Sequence, residues 1–133
     1  MKTLIKLLVI SLVIIMIGCE KSNETELELR GDWIELISQK DTILFDDWDA
    51  ENVFAFRRGY ELVNGYMLPK YGSGIYSYKL KKDSIMLNNM VSSCNCYPAY
   101  YFHINSTRDT FQIGNFYDTS SVSTQLKTFF KIR

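Results

Sequence analysis

Two of the three cysteines in the 133-residue chain, Cys94 and Cys96, lie two positions apart. Thiols at this spacing can form a local disulfide, stay free or pair with another molecule, or bind a soft metal ion with Met90 or His103 as further ligands. On a flat strand the two Cα atoms would lie about 6.5 Å apart, close to the upper limit for a disulfide. A local bridge therefore requires a bent loop, which the nearby Pro98 favours.

The other groups that could do chemistry are one histidine and a short acidic run. His103 alternates with Phe102, so we expect it on the opposite, polar face of its strand, and no nucleophile or partner motif accompanies it. The acidic run 46–51 spaces carboxylates as some calcium loops do, but it lacks the glycine and the terminal glutamate spacing of an EF-hand. It predicts a solvated hairpin turn. We therefore expect no catalytic residue, no cofactor and no resident metal.

The N-terminus has the pattern of a secretory signal peptide. Lys2 and Lys6 precede an apolar run from Leu7 to Ile17. This run is too short to cross about 30 Å of hydrocarbon, which takes roughly 20 residues. A polar segment then follows as a short tether. We predict a signal peptide at 1–18, a tether at 19–28 and one domain at 29–133.

The end of the apolar run, Met16-Ile17-Gly18-Cys19, resembles the lipobox of bacterial lipoproteins. The resemblance implies cleavage after Gly18, a diacylglycerol on the Cys19 thiol and acylation of the freed amine; an uncleaved signal anchor is the alternative. Two or more acyl chains hold a protein stably on a membrane. In enterobacterial lipoproteins, aspartate after the cysteine resembles a signal for retention in the inner membrane. By this resemblance Glu20 favours the outer membrane of the cell envelope, and which face is occupied stays open.

Lipid on Cys19 would leave Cys94 and Cys96 as the remaining pair of thiols. In an oxidising envelope, a disulfide between them is the simplest expectation.

The charge and the aromatic content of the chain limit which classes of function remain. Removal of Lys2 and Lys6 leaves 13 of the 15 basic residues against 15 acidic ones, a net charge of −2. Without a basic stripe, nucleic-acid binding has no support. The two Trp, nine Tyr and eight Phe all follow Cys19, and such side chains fill strands and small cores.

Apolar and polar residues alternate with a period of two through most of the domain, which predicts an all-β fold. About eight runs show it: 33–37, 42–45, 53–57, 75–80, 84–87, 100–105, 111–114 and 126–132. Short polar connectors between them are typical of hairpins. We therefore predict a small antiparallel up-and-down barrel, a form that removes exposed edges. Only 118–125 has a pattern that permits a turn of helix.

An insertion from Gly59 to Gly74 interrupts this regular spacing. Its Asn64-Gly65 pair, between apolar runs, is a strong signal for a two-residue hairpin. Aromatic and apolar side chains cluster in the insertion: Tyr60, Tyr66, Met67, Leu68 and Tyr71. They predict either a contact surface or a lid that folds down over an open barrel end.

The segment Leu29-Arg30-Gly31-Asp32-Trp33 resembles the Gly-x-Trp opening of lipocalin-like domains in small bacterial lipoproteins. The resemblance implies that Trp33 closes one end of the barrel under the first strand. The chain is shorter than a typical lipocalin and lacks the helix that usually follows the last strand.

Two functional interpretations follow. The first is a non-catalytic, membrane-anchored module that binds a small apolar ligand at the barrel mouth, and the second is a protein-interaction lipoprotein with a filled barrel, such as a hydrolase inhibitor or an assembly partner in the envelope. The candidate contact residues in either case are Trp33, Tyr60, Tyr66, Met67, Leu68 and Tyr71.

Overall fold

The computed structural model describes residues 29–48, 51–118 and 125–133, with the side chains of Asp47 and Glu51 not described. The predicted signal peptide, the tether with Cys19, and nearly all of the segment 118–125 lie outside these residues. Within the described ranges, no helix is long and apolar enough to span a membrane.

The described residues form strands throughout, as the period-two pattern predicts. In chain order the strands are β1 Gly31–Glu35, β2 Thr42–Trp48, β3 Glu51–Arg57, β4 Tyr60–Val63, β5 Tyr66–Pro69, β6 Gly74–Lys81, β7 Ser84–Asn89, β8 Ala99–Ile104, β9 Thr110–Ile113 and β10 Lys127–Lys131. Eight of them close into an antiparallel barrel in the order β1-β10-β9-β8-β7-β6-β3-β2, and β4 and β5 form a separate two-stranded sheet. The predicted fold class, an all-β up-and-down barrel, is confirmed.

Aromatic side chains fill the interior of the barrel. In most barrel strands buried residues alternate with more exposed ones, and the inward positions supply the core. Rings from different strands contact one another, as with Phe45 and Tyr78 at 5.3 Å and Phe111 and Phe129 at 5.2 Å between centroids. Among the described residues, the fully buried aromatic side chains are Trp33, Phe54, Phe56, Phe111 and Phe129.

The barrel closes where β1 meets β10, beside the start of the described chain. The Trp33 indole N–H donates to the Leu29 carbonyl at 2.7 Å, and both residues are fully buried. Gly31 lies against the last residue, since a Cβ added there would be 1.9 Å from the Arg133 carbonyl oxygen. Glycine at 31 therefore permits both the positive φ of 118° and this close approach.

Two strand boundaries differ from the sequence expectation. The first strand begins at Gly31 and ends at Glu35, because the Glu35 carboxylate accepts hydrogen bonds from the backbone N–H groups of Ile37 and Ser38 and turns the chain. Burial alone raises the pKa of Glu35, but these bonds and the one from the Ser38 hydroxyl hold the pKa below its ordinary value.

The second difference concerns the acidic run 46–51. Asp46 and Asp47 belong to β2, where they pair with Val53 and Asn52 of β3, so the turn is shorter than predicted. Within the described residues, no group of three His, Cys, Asp or Glu side chains could hold a metal ion.

The strand directions give the barrel two distinct ends. The end that carries Leu29 is called the tether end, because the predicted tether precedes Leu29. It also carries the turns 82–83 and 105–109 and Arg133, whose carbonyl accepts from the Asp32 N–H at 3.1 Å. The hairpin end carries the loop 36–41, the insertion with β4 and β5, the loop 90–98 and the chain after Ile113. The described domain therefore begins at the end opposite the insertion.

Candidate functional site

Strands β4 and β5 form a hairpin that projects from the hairpin end of the barrel. Tyr60 pairs with Pro69, and Val63 pairs with Tyr66 beside the turn. Asn64 and Gly65 both have positive φ, 50° and 84°, as a two-residue type I′ turn requires. The hairpin expected from the Asn-Gly pair is confirmed.

Every residue of the β4–β5 hairpin is exposed. Leu62, Tyr66 and Met67 are 69, 72 and 64% exposed, and Tyr60, Val63 and Leu68 are also exposed. Because all residues of the two strands are exposed, β4 and β5 do not pack down over the barrel as the lid alternative predicts. A concentration of exposed large apolar side chains is typical of an interaction surface.

A groove of about 510 Å³ lies where the hairpin leaves the barrel. Its walls combine the outer face of β3 and β6 with the base of the hairpin, including Ala55, Ile75, Tyr60 and Pro69. Ile75 and Tyr60 are themselves exposed. The groove therefore adjoins the hairpin at Tyr60 and Pro69, and Arg57 and Arg58 also line it.

Arg58 fixes the base of the hairpin. Its Nη1 donates to the carbonyls of Tyr71 at 2.7 Å and Tyr117 at 2.5 Å, and its backbone N–H donates to the Ser73 hydroxyl at 3.2 Å. Its Nε also lies 3.6 Å from the Asp41 carboxylate. One side chain thus joins both ends of the insertion to the barrel.

Two acids, Glu35 and Asp41, are buried among the described residues of this end, and Asp41 forms an ion pair with Lys127 of β10. Two cations lie over the ring of Tyr117: Arg58 and Lys127 are 5.1 and 4.8 Å from its centroid. Burial raises the pKa of Tyr117 to about 12, against the opposing field of Arg58. The Tyr117 hydroxyl therefore stays protonated and donates to the Gln125 carbonyl at 3.1 Å.

The loop 90–98 carries both cysteines on the same end of the barrel. Cys94 and Cys96 form a disulfide in the structure, with their Cα atoms 5.2 Å apart, so the loop has the bend that a local bridge requires. The Leu87 N–H donates to the Pro98 carbonyl at 3.0 Å and ties the loop to β7.

We expect the disulfide to be present in the protein isolated from its host. Thiol labelling under denaturing, non-reducing conditions should detect no free cysteine from 94 or 96, and reduction should add 2 Da to the peptide that contains both. A labelled peptide carrying two modified thiols before reduction would show that the bridge does not form. The Cys96→Ser variant, which leaves one free thiol, calibrates the labelling.

The structure brings together five of the six contact residues expected from the sequence. Tyr60, Tyr66, Met67 and Leu68 lie on the hairpin, and Tyr71 lies at its base and is also exposed. Trp33 is separate from them, since it is fully buried in the core. His103 is exposed, on the face opposite the buried Phe102, as expected.

A second cluster at the hairpin end was not predicted. Tyr76, Tyr100 and Phe116 come from three separate parts of the chain and line a pocket of about 220 Å³ together with Tyr71 and Asn88. The alternation in the sequence predicts which residues of β6 and β8 face inward, but only the closed barrel places the ends of these strands side by side.

In comparisons with known proteins, no family model matches the chain, and no curated protein or solved structure is significantly similar to it.

Proposed function

We propose that this protein is a non-catalytic bacterial lipoprotein, anchored in the cell envelope by lipid on Cys19, that binds another envelope protein through the β4–β5 hairpin. The observation that carries the proposal is the exposure of all eight hairpin residues, among them six large apolar or aromatic side chains. A surface of this kind gains free energy when a partner removes it from water, at about 25 cal/mol per Å².

The packing of the barrel favours this interpretation over an apolar ligand that enters the barrel from its mouth. Phe54, Phe111 and Phe129 are fully buried in the core, and their rings contact one another or neighbouring rings with centroids within 6 Å. An apolar ligand would have to displace these side chains. The groove of about 510 Å³ outside the barrel instead offers a place for an apolar side chain of the partner.

The position of Leu29, which the predicted tether precedes, supports the same proposal. The described domain begins at Leu29 on the tether end, whereas the hairpin projects from the hairpin end. An anchor on Cys19, in the outer membrane as the sequence favours, would leave the hairpin directed away from its own bilayer. A partner protein could then reach it without competition from lipid.

The proposal can be tested by photo-crosslinking in intact cells. We expect p-benzoylphenylalanine at position 62 or 67 to give one discrete protein adduct in the membrane fraction, and Tyr66→Ser in the same chain to reduce its yield severalfold. Position 37 is the matched control, because Ile37 is 89% exposed on another loop of the same end. It should give no such adduct. Mass spectrometry of the N-terminal peptide should find the added mass of lipid on Cys19, and Cys19→Ser should abolish it.

Two results would contradict the proposal. Equal adducts from positions 37, 62 and 67 would mean that the hairpin has no special contact. An N-terminal peptide with no added lipid mass on Cys19 would remove the lipid anchor from the proposal while leaving the hairpin contact intact.

A further inference from the structure

The pocket beside the disulfide loop is lined by both aromatic and polar side chains, whereas the hairpin surface is mainly apolar. We propose that this pocket, between the ends of β6, β7 and β8, binds one ring of a neutral sugar. The proposal does not depend on the function of the hairpin. It rests on the aromatic walls of the pocket, on an unpaired tyrosine hydroxyl, on side-chain amides and on the charge at its rim.

Four aromatic rings line the pocket. Tyr76 and Phe116 meet edge to face with centroids 5.3 Å apart, and Tyr100 meets Phe116 at 6.0 Å. The fourth ring, that of Tyr71, is exposed. The C–H faces of a sugar ring are apolar and pack against aromatic faces, while its hydroxyls point outward to polar groups.

The Tyr100 hydroxyl is available to a ligand. Among the residues described, it has no hydrogen-bond partner, although the side chain is partly buried in the pocket wall. Burial, together with the neighbouring Tyr71 hydroxyl, raises the pKa of Tyr100. The group therefore stays protonated and can both donate and accept, as a ligand hydroxyl requires.

Side-chain amides line the inner wall. The oxygen of Asn89 accepts from the Val91 N–H at 3.0 Å. The Asn88 amide fits its surroundings when its nitrogen points to the loop, where it donates to the carbonyls of Cys94 and Cys96 at 3.0 and 3.2 Å. These bonds hold the disulfide loop against β7. Hydrogen bonds within the protein therefore fix this wall of the pocket.

Charge selects against ionic ligands. All described residues that line the pocket are uncharged. Burial first, and then Tyr71 and Tyr100, raise the pKa of Tyr76, while Arg58 lowers it. No acidic side chain among the described lining residues could pair with a cation, which aromatic walls alone would attract. Because Arg58 is itself bound to two carbonyls and lies beside Asp41, it does not form an anion site.

The volume limits the ligand to a small one. About 220 Å³ is below the size of pockets that hold drug-sized molecules, roughly 300–1,000 Å³. One pyranose ring suits this space, with the remainder of a longer glycan outside the open mouth.

Binding can be measured by ¹⁵N-¹H NMR titration of the processed full-length protein with glucose, galactose, mannose, N-acetylglucosamine and choline. A polyoxyethylene detergent should hold the protein, because maltoside detergents carry the sugar under test. We expect at least one sugar to shift the amides of 88–97 and 100 with a dissociation constant of about 1–10 mM. Tyr100→Phe should weaken that binding about three- to tenfold, and Tyr71→Ala should weaken it at least as much.

Tyr101→Phe is the matched control, because Tyr101 is the next residue, is 44% exposed and lies outside the pocket lining. It should leave the affinity unchanged. Shifts from choline but from none of the sugars would overturn the proposal in favour of a cation cage. Shifts confined to the hairpin, no shift from any probe, or equal affinity in the Tyr100→Phe variant would also overturn it.

Discussion

Replacement of Trp33 by alanine should lower the free energy of unfolding by about 3–5 kcal/mol, the range for large buried aromatic residues. Trp33 is fully buried, and its ring meets Phe111 edge to face at 4.8 Å. Its N–H is paired with the Leu29 carbonyl, so the variant would lose a hydrogen bond and leave a cavity at the closure of β1 on β10. A domain of this size has a total stability of only about 5–15 kcal/mol, so the loss would be a large fraction.

Trp48→Ala is the matched control, because the side chain of Trp48 is 60% exposed at the end of β2. It should change the unfolding free energy by less than about 1 kcal/mol. Urea denaturation followed by circular dichroism measures both variants without relying on tryptophan fluorescence. Similar losses of unfolding free energy in the two variants would contradict the role of Trp33 as a core residue.

Asp41→Asn should lower the free energy of unfolding by about 2–4 kcal/mol, because it removes the charge from a buried ion pair while keeping the shape of the side chain. The Asp41 side chain is 7% exposed and carries both Lys127 and Arg58. The two cations would remain partly buried without their counter-charge. The loss should also loosen the insertion, because Arg58 holds its base.

Asp32→Asn provides the control for an exposed pair. Asp32 lies 3.0 Å from Arg133, whose side chain is 82% exposed, and such pairs contribute about 0–1 kcal/mol. Chemical denaturation of both variants at neutral pH separates the two cases. A loss for Asp41→Asn no greater than that for Asp32→Asn would mean that solvent reaches the Asp41 cluster.

The alternation of residues along each strand predicts the barrel because it records burial directly. Phe54 and Phe56 face inward, while Ala55 and Arg57 do not, and a single face of each strand fills the core. The Asn64-Gly65 turn is equally local, since both residues must take positive φ. These features need no knowledge of distant residues.

Other features depend on contacts between distant parts of the chain. Arg58 and Asp41 are 17 positions apart and look like two solvated charges in the sequence, yet the barrel places them together with Lys127. Tyr100 and Phe116 meet in the same way, through the pairing of β8 with β9. Local patterning carries no signal for such neighbours, so the pocket could not be predicted.

Trp33 shows a different limit of prediction from the sequence. An aromatic residue near the start of a barrel strand satisfies both a contact role and a core role, and residue type alone does not separate them. Burial separates them, because Trp33 has no exposed surface whereas Tyr66 on the hairpin is 72% exposed.

The two opposite ends of the barrel also decide how the domain would carry mechanical load. A pull between Leu29 and the β4–β5 hairpin enters at one end of β1 and leaves at the other end of the barrel, through β3 and β6. The force then runs along the strands and loads the hydrogen bonds between them in shear. Bonds loaded in this way must break together, whereas a pull applied across neighbouring strands would open them one after another.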